Sequence, residues 1–243
     1  MKVVLFCGGA GLRLRGAIDD VPKPMVPIGA RPILWHLMTY YAHFGHHDFI
    51  LCLGHKGEVI KEYFRTHAEP EWRIDFAETG ATANVGERLK SVESYLQREE
   101  MFLANYGDGL SDLPLGAMIE VFRESRAVAA LALVAPTATF DVVTAAPEGI
   151  VNSVCPVSSS GLWINGGFFV MRPRIFDYIR AGEELVREPF QRLIAEQALL
   201  AYKYTGFWQC MDTFKDQQHL ENLDQGGDAP WKLWERKRAR RDP

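Results

Sequence analysis

No apolar run in this chain reaches the length of a membrane span, so no integral helix is expected. Cysteine is scarce, with four residues, Cys7, Cys52, Cys155 and Cys210, and no C-x-x-C pair. That scarcity argues against a zinc site or a disulfide frame and points to reduced thiols in a cytoplasmic protein. Positive charge is not in excess either. Twenty-seven Lys and Arg face 31 Asp and Glu, a formal net charge of −4, which argues against a general nucleic-acid binder. Linkers, low-complexity stretches and internal repeats are also missing. Met1 runs straight into an apolar strand, so no signal peptide is expected. With 243 residues, 47% apolar and 24% charged, the chain is sized for one large α/β domain, residues 1–243. The basic tail Glu235–Arg241 reads as a solvated terminus.

What is present is concentrated at the start. The apolar strand Val3-Val4-Leu5-Phe6-Cys7 empties into Gly8-Gly9-Ala10-Gly11-Leu12-Arg13-Leu14, and Lys23-Pro24-Met25 follows. A strand that ends in a glycine-rich turn presents backbone N–H groups to phosphate oxygens. Arg13 and Lys23 add two positive charges where a polyphosphate would lie. The kinase-like P-loop pattern fails, because Leu12 and Arg13 stand where Lys and Ser or Thr belong. The dinucleotide fingerprint fails as well, because Leu14 stands at its third glycine. The remaining pattern is G-G-x-G-x-R-L followed by K-P-M. A plain tight turn is the competing explanation for the glycines, and a surface lysine in a proline-rich turn is the competing one for Lys23.

The rest of the chain alternates. Apolar runs at Phe49–Leu53, Ile74–Ala77, Met101–Asn105 and Ala127–Val134 predict buried strands. Between them, Val59, Ile60, Tyr63 and Phe64 share one helix face, Val85, Leu89, Val92 and Leu96 a second, and Met118, Ile119 and Phe122 a third. This order predicts an α/β fold, a mixed and mostly parallel sheet flanked by helices. Ligands in such sheets bind beyond the carboxyl ends of the strands. The glycine loop and Gly107-Asp108-Gly109 both follow strands and would share that edge. Further on, Val142–Ala146 and Ile150–Val154 predict a hairpin, and Ile164–Met171 another buried strand. Helices are expected over Arg174–Arg180 and Arg187–Ala198, and a short strand over Tyr202–Tyr204.

Several motifs, in order, resemble the sugar-phosphate nucleotidyltransferases, and among them the glucose-1-phosphate cytidylyltransferases. They are the glycine loop with K-P-M, Pro32-Ile33-Leu34-Trp35-His36, Lys61-Glu62-Tyr63-Phe64, Tyr106-Gly107-Asp108-Gly109, Ile164-Asn165-Gly166-Gly167-Phe168-Phe169, Gly206-Phe207-Trp208-Gln209 with Met211-Asp212-Thr213, and Ala229-Pro230-Trp231-Lys232. The resemblance covers nearly the whole chain. It implies a Rossmann-like fold with a nucleotide-binding half over about residues 1–135 and a sugar-binding half over about 136–243. It also implies a magnesium cofactor, an NTP and a sugar 1-phosphate as substrates, no nucleic-acid or membrane partner, and a homo-oligomer.

The reaction so implied is attack by a sugar 1-phosphate oxygen on the α-phosphorus of an NTP, CTP by resemblance, with pyrophosphate leaving. The nucleophile is already ionised, so catalysis comes from positioning and charge neutralisation. Phe6, Cys7, Gly8, Gly9, Ala10 and Gly11 would cradle the nucleotide with Gly107, Arg13 would hold the departing phosphates, and Lys23 would lie against the α-phosphate and the sugar phosphate. By resemblance Asp108 and Asp212 hold the metal. On the residues alone, Asp108 fits an ordinary turn equally well and Asp212 a helix cap. Thr79, Gly80 and Arg88 match nucleotide contacts of the family, though Arg88 could also sit on the polar side of its helix. Asn165, Gly166 and Glu188 match the sugar site, with a buried, locally satisfied amide as the alternative for Asn165.

Two departures stand out. Ala83 replaces a family serine, and the E-K-P lysine that pairs with the sugar phosphate is missing from Ser153-Val154-Cys155-Pro156-Val157-Ser158-Ser159-Ser160. His36 reads as packed rather than catalytic. Trp208, Trp231 and Trp234 read as packing or interface residues.

Overall fold

The structure, a computed structural model, describes residues 1–9 and 21–238, with side chains to 235. Ala10, Gly11 and Arg13 of the glycine loop, and the end of the basic tail, lie outside the described residues.

The strands are β1 (Lys2–Phe6), β2 (Pro27–Ile28), β3 (Arg31–Pro32), β4 (Asp48–Leu53), β5 (Arg73–Glu78), β6 (Phe102–Tyr106), β7 (Gly109–Ser111), β8 (Ala129–Val134), β9 (Asp141–Ala145), β10 (Val151–Pro156), β11 (Ile164–Met171), β12 (Leu199–Lys203) and β13 (Trp208–Cys210). The helices are α1 (Ile33–His43), α2 (Gly57–His67), α3 (Val85–Ser91), α4 (Glu93–Leu96), α5 (Leu115–Glu124), α6 (Glu188–Ala195), α7 (Phe214–Gln225) and α8 (Leu233–Arg238).

Seven strands form the central sheet in the order β12-β8-β11-β6-β1-β4-β5. β1 pairs in parallel with β4 and β6, β4 with β5, and β12 with β8, while β11 runs antiparallel between β6 and β8. The mixed, mostly parallel sheet expected from the alternation is therefore present. β1 alternates strictly between the two faces. Val3, Leu5 and Cys7 enter one core and Val4 and Phe6 the other, as a period of two dictates. The chain leaves β1 towards β4 and β5 on one side and returns to β6 on the other. The order reverses between β1 and β6, and a crevice opens at such a reversal, outside the carboxyl ends.

Local differences from the sequence pattern have physical causes. The apolar stripe Val85–Leu96 does not make one helix. Val92 leaves the helical region at φ −104°, ψ 10°, so α3 and α4 are separate. Residues 174–180 form no α-helix. Pro173 opens a 3-10 turn, Pro173–Tyr178, that buries Ile175, Phe176 and Tyr178. α6 stops at Ala195, two residues before Gln197 enters the left-handed region at φ 55°. The hairpin appears as β9 and β10, and Val143, Val151 and Val154 on it are exposed.

Two histidines make stability depend on pH. Burial, with the nearby N-terminus and His47, pulls His46 from 6.5 down to about 4. Burial likewise lowers His36, whose Nε2–H donates to Ile28 O at 2.9 Å. Both groups are held neutral in the folded chain, so below about pH 6.5 the unfolded chain takes up their protons first. Stability should be flat above that value and fall progressively as pH drops towards 4. Thermal melts at pH 7.5, 6 and 5 check this, and an unchanged midpoint would contradict it.

Candidate active site

Lys23, Asp108 and Asp212 meet at one point. Lys23 Nζ lies 2.6 Å from Asp108 Oδ2 and 2.6 Å from Asp212 Oδ1. The local sequence explains how each arrives. Lys23 opens a 3-10 turn, Lys23–Met25, closed by Met25 N donating to Pro22 O at 2.7 Å. Pro24 and Met25 are buried in that turn and anchor it, leaving the lysine at the cavity wall. Asp108 follows β6, where Gly107 N donates to Phe6 O at 3.2 Å and ties the ends of β6 and β1 together. A Cβ on Gly107 would stand 3.1 Å from Phe6 O, so a bare residue suits this approach. Asp212 comes across the short β7–β13 ladder, in which Cys210 pairs with Gly109 and Met211 N donates to Asp108 O at 2.9 Å. Thr213, not Asp212, is the N-cap of α7, with Asp216 completing a capping box. Asp212 is thereby relieved of the capping duty that its position in sequence had left open.

The electrostatics follow from this arrangement. Burial pulls the Lys23 ammonium down, but the Asp108 and Asp212 carboxylates outweigh it and leave its pKa raised. Burial, with the Asp212 and Asp108 charges, pushes the Cys210 thiol up to about 12, and its Sγ donates to Asp212 Oδ2 at 3.5 Å. The two carboxylates share one cationic point, so they can also share a small hard metal ion. Among the described residues no group of three or more His, Cys, Asp or Glu is arranged to hold a metal. Two carboxylates, completed by substrate phosphates and water, is the donor set magnesium favours.

These three side chains line a cavity of about 620 Å³. Phe6, Cys7, Gly8, Gly9, Arg88, Gly107 and Asn165 line it as well. Arg88 is buried, not on a polar helix face. Its guanidinium donates to Gly8 O at 3.0 Å, Leu53 O at 3.1 Å and Thr79 Oγ1 at 2.7 Å. Glycines make the space: a Cβ on Gly8 would stand 2.0 Å from Arg88 Nη1, and one on Gly54 2.7 Å from it. Burial lowers the Arg88 pKa. Thr79 lies behind this arginine, and neither it nor Gly80 lines the cavity.

The nucleotidyl transferase family model matches residues 2–216. This chain belongs to the nucleotidyl transferase family. The glucose-1-phosphate cytidylyltransferase of Salmonella typhimurium is 37% identical to this nucleotidyltransferase, covering 97% of this chain and 100% of the relative. The D-glycero-alpha-D-manno-heptose 1-phosphate guanylyltransferase of Campylobacter jejuni is 29% identical over 82% of this chain and 90% of its own. Among solved structures, HddC from Yersinia pseudotuberculosis, complexed with GMP-PN, shares the fold with a TM-score of 0.69 at 22% identity, covering 92% of this chain and 99% of that one. This nucleotidyltransferase, with its mixed, mostly parallel sheet flanked by helices, has the nucleotide-diphospho-sugar transferase fold.

Towards the second half of the nucleotidyltransferase, Asn165 is satisfied locally and also lines the cavity. Its Oδ1 accepts from Gly167 N at 2.9 Å, while its Nδ2 reaches Tyr106 Oη at 3.3 Å at the cavity wall. Gly167 has φ +77°, and a Cβ there would enter the Tyr106 ring at 2.5 Å. Gly166 does not line the cavity; its carbonyl accepts from Trp208 Nε1 at 2.8 Å. Glu188 does not line it either. It is exposed on the first turn of α6, and the glutamate that lines the cavity is Glu184 from the preceding loop. Sequence patterns gave no signal for Glu184 as a wall residue, and Trp208, expected to pack or form an interface, lines the cavity as well. Tyr106 could have been inferred from its place beside Gly107 at the end of a buried strand.

Arg88 can be tested without dismantling the fold. Gly8 O also accepts from His55 N at 3.3 Å, and Leu53 O from Thr79 N at 3.0 Å and Thr79 Oγ1 at 2.7 Å. Removing the guanidinium therefore orphans neither carbonyl, and replacing a buried charge by an apolar side chain of similar volume is often close to neutral. Arg88→Met should leave stability within about 1 kcal/mol and raise KM for the nucleotide about tenfold or more. Melting curves alongside initial rates check this; a collapsed midpoint with unchanged KM would mark the arginine as purely structural.

Proposed function

We propose that the cavity joins CTP to a sugar 1-phosphate, glucose 1-phosphate in the first instance, releasing pyrophosphate. One observation carries the reading: Lys23, Asp108 and Asp212, far apart in sequence, meet beyond the carboxyl ends of the neighbouring strands β1 and β6, where the strand order reverses. Residues 1–135 serve as the nucleotide-binding half and 136–243 as the sugar-binding half. Gly8, Gly9 and Gly107 offer bare backbone to the nucleotide, Arg88 sets the floor under Gly8, and Arg13 holds the departing phosphates. Asp108 and Asp212 hold magnesium, which when bound supplies charge neutralisation to the two meeting phosphates. With its carboxylates so engaged, Lys23 is left to the α-phosphate and the incoming sugar phosphate. The attacking phosphate oxygen forms the new P–O bond as the bond to pyrophosphate breaks, and the electron pair leaves with pyrophosphate. No side chain has to remove a proton, since the nucleophile is already an anion. The exposed valines of the β9–β10 hairpin support a homo-oligomer.

A second reading keeps the chemistry but changes the nucleotide or the sugar. Ala83 lines the cavity where a serine stands in the family pattern, and the Campylobacter jejuni relative is a guanylyltransferase. Pyrophosphate release measured for four NTPs against a panel of sugar 1-phosphates, with magnesium, separates the two. CTP with glucose 1-phosphate should give the highest kcat/KM. Another pair leading the panel would favour the second reading, and tight binding without turnover on any pair would reduce the protein to a nucleotide-binding one.

A further inference from the structure

The Asp216 carboxylate does more than close the first turn of α7. A capping box needs one reciprocal pair of bonds. Thr213 and Asp216 supply it: Asp216 N donates to Thr213 Oγ1 at 3.2 Å, and Thr213 N donates to Asp216 Oδ2 at 2.8 Å. Two further bonds lie outside the helix. Asp212 N donates to the same Oδ2 at 3.1 Å, and Gln209 Nε2 donates to Oδ1 at 3.0 Å. Gln209 is buried on β13, and its Nε2 also donates to Cys210 O at 2.8 Å. One carboxylate therefore gathers the chain on both sides of Asp212, from the strand before it to the helix after it.

Asp212 is held from the other direction as well, because Met211 N donates to Asp108 O at 2.9 Å. With the N–H groups of Met211, Asp212 and Thr213 all engaged, the backbone that carries the Asp212 side chain has a set orientation. That orientation brings its carboxylate to the Lys23 ammonium, which Asp108 also meets. The helix behind Asp216 is itself anchored. Leu220 is fully buried, and Glu221 Oε2 accepts from Gly29 N at 2.7 Å, in the turn between β2 and β3. This hairpin follows the Lys23–Met25 turn, so α7 holds the Lys23 stretch at one point and Asp212 at another. Asp216 does not line the cavity. Groups that hold a metal-binding side chain in place affect metal affinity without touching the ion.

We propose that Asp216 is a positioning residue, whose carboxylate sets the Asp212 backbone so that the Asp212 and Asp108 side chains converge on one point. This rests on the reading that these two acids hold magnesium for nucleotidyl transfer. The test compares Asp216→Ala, Asp216→Asn and Thr213→Ala with wild type. Alanine is the best helix former, so Asp216→Ala removes the carboxylate and keeps α7. Thr213→Ala breaks the same capping box but leaves Asp216 to accept from Asp212 N. For each protein the melting temperature is measured, then kcat and KM for pyrophosphate release from CTP and glucose 1-phosphate with magnesium. Binding of Mn2+ to the protein without nucleotide is read from the electron paramagnetic resonance of the free ion. The two alanine variants should lower the melting temperature alike. Asp216→Ala should lower kcat about a hundredfold and leave both KM values within about twofold. It should weaken Mn2+ binding about tenfold. Thr213→Ala should keep the wild-type kcat and Mn2+ affinity. Asp216→Asn, whose amide oxygen can still accept from Asp212 N, should recover most of the lost rate and affinity. Equal losses of rate in the two alanine variants would reduce Asp216 to a helix cap and overturn the inference. Wild-type kcat and Mn2+ affinity in Asp216→Ala would overturn it too, as would an Asn variant as slow as the Ala variant, which would trace the effect to charge. Wild type inactive on every NTP and sugar 1-phosphate pair overturns the parent reading and this inference with it, whereas an active wild type with indifferent Asp216 variants overturns this inference alone.

Discussion

Asp108→Asn is expected to cut kcat by about a thousandfold or more, equivalent to ~4 kcal/mol of transition-state stabilisation, while leaving the fold intact. The substitution keeps shape and removes one charge from the point shared with Lys23 and Asp212. An amide oxygen is a poorer ligand for a hard dication than a carboxylate, so raising magnesium should recover little of the loss. Asp212→Asn should act in the same direction. The two losses should not add, because both acids serve one ion and residues acting as a unit are strongly non-additive. Steady-state pyrophosphate release from the two single variants and the double variant reads this out directly. Turnover near the wild-type rate in either single variant would remove the metal assignment.

The largest effect on stability is expected away from the cavity. Trp231 is fully buried in the core that contains α1. Its ring packs with Phe207 at 5.7 Å and edge-on with His36 at 6.1 Å between centroids. His36 Nε2–H donates to Ile28 O, so Nδ1 carries the lone pair and accepts from Trp231 Nε1 at 3.4 Å. Trp231→Ala removes the ring and leaves that buried nitrogen without its donor. The expected cost is about 3–5 kcal/mol, a large fraction of the stability of an ordinary domain. Denaturant unfolding should show a lower midpoint at an unchanged slope. A loss under about 1 kcal/mol would mean that the segment around Ala229–Lys232 contributes little to the core.

Much of the site could be read in the sequence because topology does the placing. Once strands and helices alternate, the residues that follow β1 and Gly107-Asp108-Gly109 after β6 are expected to share an edge of the sheet, and among the described residues Gly8, Gly9, Gly107 and Asp108 do. Lys23 was also in view, since two prolines flank it and fix its turn. Other positions left no periodic trace. Asp212 reaches Asp108 through a ladder of three residue pairs, too short to show as alternation. Arg88 follows Gly86 and precedes Leu89 on a helix that looks half polar; its burial is decided by the missing side chains of Gly8 and Gly54, which lie in other loops. Glu188 and Glu184 are four residues apart, and local sequence does not tell which faces the cavity. Helix α6 begins at Glu188, whereas Leu185 packs into the core beside Glu184 and fixes the loop. The split between α3 and α4 falls at Val92, a buried position whose backbone leaves the helix to pack.

The account is tested most directly by a single-turnover experiment in which enzyme in excess over CTP is mixed with glucose 1-phosphate and magnesium, and pyrophosphate and nucleotide-sugar are quantified together. The expected result is one pyrophosphate for each CDP-glucose, with both products abolished by chelating the metal. Pyrophosphate without the nucleotide-sugar, which would indicate hydrolysis, or bound CTP that never reacts with any sugar 1-phosphate, would contradict it.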